Sequence, residues 1–93
     1  MRESTIESHL RTEAKKRGGL AVKFVSPGLN GVPDRLVLMP KGRMAFIELK
    51  APGKTPRVLQ LKRKRQLEVL GFRVYVVDGM EQIGGILDEI QGT

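Results

Sequence analysis

Two carboxylates and one ammonium stand where apolar strands would not ordinarily carry charge. Asp34 opens the run Leu36-Val37-Leu38-Met39, and Glu48 and Lys50 flank Leu49 at the end of the run Met44-Ala45-Phe46-Ile47. A charged group inside such a strand costs free energy unless it is paired or holds a metal. A same-face ion pair explains Glu48 with Lys50, but it leaves Asp34 unexplained. Convergence of all three points to a metal site rather than a feature of the fold.

The elements that would bring them together form a hairpin. Alternation puts Glu48 and Lys50 on one strand face with Met44 and Phe46, while Asp34 shares its face with Leu36 and Leu38. An antiparallel hairpin sets the start of one strand beside the end of the next. Asp34 then meets Glu48 and Lys50, provided the register is even. A three-residue loop Lys41-Gly42-Arg43, with Gly42 at positive φ, gives that register. A four-residue loop starting at Pro40 would turn Asp34 to the wrong side. Val37, Met39, Ala45, Ile47 and Leu49 make the opposite face equally apolar, so helices are expected above and below the sheet.

The flanking segments supply those helices. Ile6, Leu10 and Ala14 repeat at helical spacing between Glu3 and Arg17, and Gly18-Gly19 stops the helix. Ser4-Thr5-Ile6-Glu7 reads as a capping box, with Ser4 as N-cap. Glu7 also lies on the edge of the buried face, where it could lean toward the sheet. His9, without a partner histidine, is expected at the surface. Lys15, Lys16 and Arg17 complement the helix dipole or contact phosphate. Leu20 to Val25 is a strand, and Ser26 to Gly31 a loop leading to Asp34. Pro33 holds Val32 extended.

After Lys50, Gly53-Lys54-Thr55 superficially matches a nucleotide-binding sequence. The glycine required five residues upstream of Gly53 is Glu48, so a phosphate-binding loop is excluded. Thr55 as N-cap and Pro56 in the first turn open a second helix running to about Leu70. It carries Arg57, Lys62, Arg63, Lys64 and Arg65, either a solvated face or a phosphate-contacting one, with Arg57, Arg63 and Lys64 as the contacts of choice. Phe72 to Val77 is a last strand. Met80 to Gln91 is a third helix with Ile83, Ile86, Leu87 and Ile90 on one face.

The string Gly31-Val32-Pro33-Asp34, then Glu48-Leu49-Lys50-Ala51-Pro52-Gly53, then Gln60 and Gly71-Phe72-Arg73-Val74, resembles the VRR-NUC (virus-type replication-repair nuclease) branch of the PD-(D/E)xK nucleases. The resemblance runs from about Glu7 to Val77. It implies an α/β restriction-endonuclease-like core of order α-β-β-β-α-β with a C-terminal helix, a mixed sheet flanked by helices, in one domain over residues 1–93. It also implies metal-assisted phosphodiester hydrolysis with Mg²⁺ or Mn²⁺. The metal would be held by Asp34, Glu48 and the backbone carbonyl of Leu49, with Lys50 acting on the water or the phosphate. Glu7 fits the family's first-helix acid, with Glu3 as the alternative. The family's helix glutamine lies about eleven residues before the helix-ending glycine; counting back from Gly71 selects Gln60 over Gln66. Stand-alone viral members resemble Holliday-junction resolvases working as homodimers, which implies branched DNA as substrate. Flaps, duplex ends, or binding without cleavage are the alternatives.

Composition agrees with a polyanionic partner. The 93 residues carry 17 basic and 10 acidic side chains, a net charge of +7, with a pI near 10.3. Three Phe and one Tyr are too few for base-stacking platforms, so binding through phosphates is expected. The chain has no Cys, which excludes disulfides and thiolate zinc sites and fits a reducing compartment. No apolar run is long enough for a membrane, and the N-terminus shows no signal peptide. A cytoplasmic location is expected, in the host cytoplasm if the chain is viral.

Overall fold

The computed structural model describes residues 1–92. Among these, the elements are α1 (Glu3–Lys16), β1 (Leu20–Lys23), β2 (Arg35–Met39), a 3-10 turn (Pro40–Gly42), β3 (Arg43–Leu49), α2 (Val58–Val69), β4 (Val74–Val77), a second 3-10 turn (Met80–Gln82) and α3 (Ile83–Ile90). The strands form a mixed sheet in the order β1-β2-β3-β4. β1–β2 and β2–β3 pair antiparallel, and β3–β4 pair parallel across the α2 crossover. No helix among the described residues is long and apolar enough to cross a membrane.

One sheet face is sealed. Val37, Met39, Ala45, Ile47, Leu49 and Val77 pack there against Ile6, Leu10 and Ala14 of α1 and Ile83, Leu87 and Ile90 of α3. The i, i+4 spacing seen in the α1 sequence produces that stripe. Gly19 lets the chain turn from α1 into β1 hard against β2. A Cβ there would stand 2.5 Å from the Leu38 carbonyl oxygen.

The boundaries correct several expectations. α1 begins at Glu3 with Arg2 as N-cap and no side-chain cap. Ser4 is therefore already helical, and Glu7 closes no capping box. α2 begins at Val58 with Arg57 as N-cap, not at Thr55. Its entry is set by Gln60 Oε1, which accepts the Arg57 N–H at 2.8 Å. The hairpin loop is Pro40-Lys41-Gly42, one residue earlier than expected, with Lys41 at φ 68° and Gly42 at φ 73°. Met39 now pairs with Arg43 and Arg35 with Ile47. The loop is still three residues long, so the register stays even. One further step along the ladder sets Asp34 opposite Glu48.

Candidate active site

Asp34 is held by its backbone and its carboxylate together. Its carbonyl accepts the Phe24 N–H at 2.9 Å, continuing the β1–β2 ladder past the end of β1. Arg35 Nη1 donates to the same carbonyl at 2.9 Å. The Leu49 N–H, at the end of β3, donates to Asp34 Oδ1 at 3.1 Å. Asp34 Oδ2 lies 3.8 Å from Arg35 Nη1. The carboxylate is thus fixed across the strand pair.

Glu48 is the buried member, at 5% exposure. Its Oε2 accepts from Gln60 Nε2 at 2.9 Å and lies 3.6 Å from Lys50 Nζ. Burial is the first cause of its shifted ionisation, and the neighbouring Asp34 carboxylate the second. Together they push its pKa up to about 7, against the opposing pull of Lys50. Glu3 adds to the rise. Glu7 is turned along its own helix to Arg11, with Nε 3.4 Å from Oε1; one helical turn separates the two acids.

Gln60 and Gln66 part company in the same way. Gln60 spans from the Arg57 N–H to Glu48, whereas Gln66 accepts from Arg63 Nη1 at 2.9 Å. The basic residues also divide. Lys15, Lys16 and Arg57 are exposed, Lys16 within 3.1 Å of Glu13. Arg17 is occupied by α3, donating to Asp88 at 2.6 Å and Gln91 at 2.9 Å. Lys64 pairs with Glu68 at 2.9 Å. Arg63 Nε donates to the Asn30 carbonyl at 2.6 Å. The sequence reading did not single out Arg35. Its only local signal was its place directly after Asp34.

The donor set fits a hard divalent cation. Two carboxylates converge, and the like charges raise the pKa of the buried one, a penalty that a cation between them would offset. Among the described residues no group of three or more His, Cys, Asp or Glu side chains has metal-binding spacing. A cation would therefore draw its other ligands from backbone carbonyl and water, as Mg²⁺ commonly does beside one or two carboxylates. A recess of about 580 Å³ lined by Leu29, Val32, Arg63, Gln66, Leu67 and Leu70 has neither carboxylate in its wall.

No protein-family model matches the chain. It is 51% identical over 81 residues to the "Putative nuclease p44" of Acyrthosiphon pisum secondary endosymbiont phage 1, covering 87% of each chain. Its fold is similar to that of a solved structure described as a VRR_NUC domain, with a TM-score of 0.85 and 28% identity, covering 92% of this chain and 94% of the other.

Proposed function

The chain belongs to the VRR-NUC family of nucleases, and from that premise we propose a divalent-metal-dependent endonuclease that hydrolyses phosphodiester bonds in branched DNA, foremost Holliday junctions, as a homodimer. The observation that carries this reading is the meeting of Asp34 and Glu48 at one end of the sheet, with Gln60 and Lys50 both on Glu48 Oε2.

Asp34, Glu48 and the carbonyl of Leu49 would hold Mg²⁺ or Mn²⁺. When bound, such an ion polarises a phosphoryl oxygen and lowers the pKa of its water. The chain's own residues do the rest. The Leu49 N–H fixes the Asp34 carboxylate through Oδ1, and Arg35 stands 3.8 Å from Oδ2. Gln60 donates to Glu48 Oε2 and so holds that carboxylate in place beside Asp34. Lys50, with its ammonium 3.6 Å from Glu48, orients the attacking water or meets the charge that grows on the phosphate. Exposed Lys15, Lys16 and Arg57 supply phosphate contacts. A homodimer suits a junction, because two symmetric cuts call for two symmetric sites.

Cleavage of junction, flap and plain duplex DNA with Mg²⁺ or Mn²⁺ tests the whole reading. Paired symmetric nicks on the junction are expected. Preference for flaps or ends would replace the substrate. Salt-sensitive binding without any cleavage would leave a binding module.

A further inference from the structure

No residue of α2 is fully buried, and only Gln60, Arg63, Lys64 and Leu67 are half-buried, so the helix packs thinly on the sheet. Its attachment lies in its first two turns. Gly31, at φ +82°, lies against Leu59 so closely that a Cβ would stand 2.6 Å from Leu59 Cγ. One residue on, Gln60 reaches Glu48. One turn further, Arg63 Nε donates to the Asn30 carbonyl at 2.6 Å, and Gln66 braces the same guanidinium through Nη1. Asn30 and Gly31 lead through Val32 and Pro33 straight into Asp34. The same stretch of helix therefore grips the loop that delivers one carboxylate and the side chain of the other.

We infer that Arg63 is a positioning residue, clasping the Asn30 carbonyl so that Asp34 and Glu48 are held in register with each other, and is not a phosphate contact. Arg63 is half-buried and its guanidinium is already bonded to two partners, whereas Lys62 and Arg65 on the same helix are exposed. The distance involved is long in sequence and short in space, which is what a clasp between loop and helix requires. The kinetic arm of the test rests on the nuclease reading above; the structural arm does not.

The structural arm uses amide hydrogen exchange of the full chain without metal. The Leu49 N–H, bonded to Asp34 Oδ1, reads the placement of Asp34 directly. Arg63→Ala should speed its exchange about tenfold, the scale on which partners of a site residue act, while the Val37 and Ile47 amides of the sealed face keep theirs. Arg63→Lys, which retains one donor, should recover most of the protection. Unchanged Leu49 exchange, or a uniform rise at all three amides, overturns the proposal. DNA binding is then measured against salt with no divalent ion present. An unchanged slope supports the clasp; a slope smaller by about 0.9, the loss of one phosphate contact, overturns it. In cleavage, kcat should fall about tenfold or more with KM for DNA unchanged. If the unaltered chain does not cut, the nuclease reading fails while the exchange and salt results still decide the clasp.

Discussion

The two faces of the sheet are built for different purposes. Toward α1 and α3, Val37, Ala45, Ile47 and Val77 are fully buried beside Ile6, Leu10, Ile83 and Leu87. Toward α2, Leu38 and Phe72 stay more than a third exposed, Leu20 more than half, and no residue of the helix is fully buried. Yet Glu48, a carboxylate, is almost wholly buried on that second face. Apolar packing closes the first face. On the second, a looser aromatic trio, Phe24 and Phe72 each 5.8 Å from Phe46, stands beside polar contacts and the Gly31–Leu59 approach. A charge can be tolerated there because Gln60 and Lys50 meet it, and because the fold's stability is secured on the other side of the strands.

The comparison breaks most sharply at Asp34. Asp34→Asn should lower cleavage by more than about a hundredfold, beyond the loss typical of a mere supporting partner. Tm and DNA binding should stay near those of the parent. If cutting persists, the open face does not hold the chemistry.

Leu87→Ala, on the sealed face, should cost about 2–5 kcal/mol in denaturant unfolding, since a fully buried side chain leaves a cavity. Equal losses from Leu87→Ala and from an α2 truncation would erase the distinction between the faces.

Glu48 sharpens the contrast through pH. Its folded pKa, about 7, lies above the ordinary 4.5. Its contribution to stability is therefore fully present below about pH 4.5, falls between there and about pH 7, and is constant beyond. In metal-free protein the decline should be on the order of 3 kcal/mol. Glu48→Gln, which keeps an acceptor for Gln60, should flatten that part of the Tm–pH curve. In the parent, Mn²⁺ should raise Tm more at pH 8 than at pH 6, because the ion competes with a proton for the carboxylate.

The smallest effect belongs to α2. Val69, 80% exposed, should tolerate Val69→Ala within about 0.5 kcal/mol. A cost of several kcal/mol would mean that the helix packs as a core element after all.

Much of this was legible before any coordinates. Strand alternation in Leu36–Met39 and Met44–Leu49 predicts both faces, and the parity of a three-residue loop predicts that Asp34 and Glu48 share one. That parity survived a one-residue shift of the loop itself. Local sequence misplaced that loop because Pro40 and Lys41 can start the turn as readily as Gly42 can centre it. Ser4 and Thr55 were likewise plausible caps. At α2 it is Gln60, reaching back to the Arg57 N–H, that sets where the helix starts. For the first-helix acid the sequence favours Glu7, on the edge of the buried stripe, with Glu3 as the alternative.

What the chain by itself determined is the alternation of apolar residues, the order of the elements, and the types of side chain that approach one another at the ends of β2 and β3. These follow from short-range periodicity and from the pleat, which are properties of neighbouring residues. Tertiary structure alone decided that Arg17 serves α3, that Arg63 reaches Asn30, and that burial and Asp34 push the Glu48 pKa up to about 7. Each depends on burial and on partners distant in sequence, and those exist only once the two helix layers have closed on the sheet.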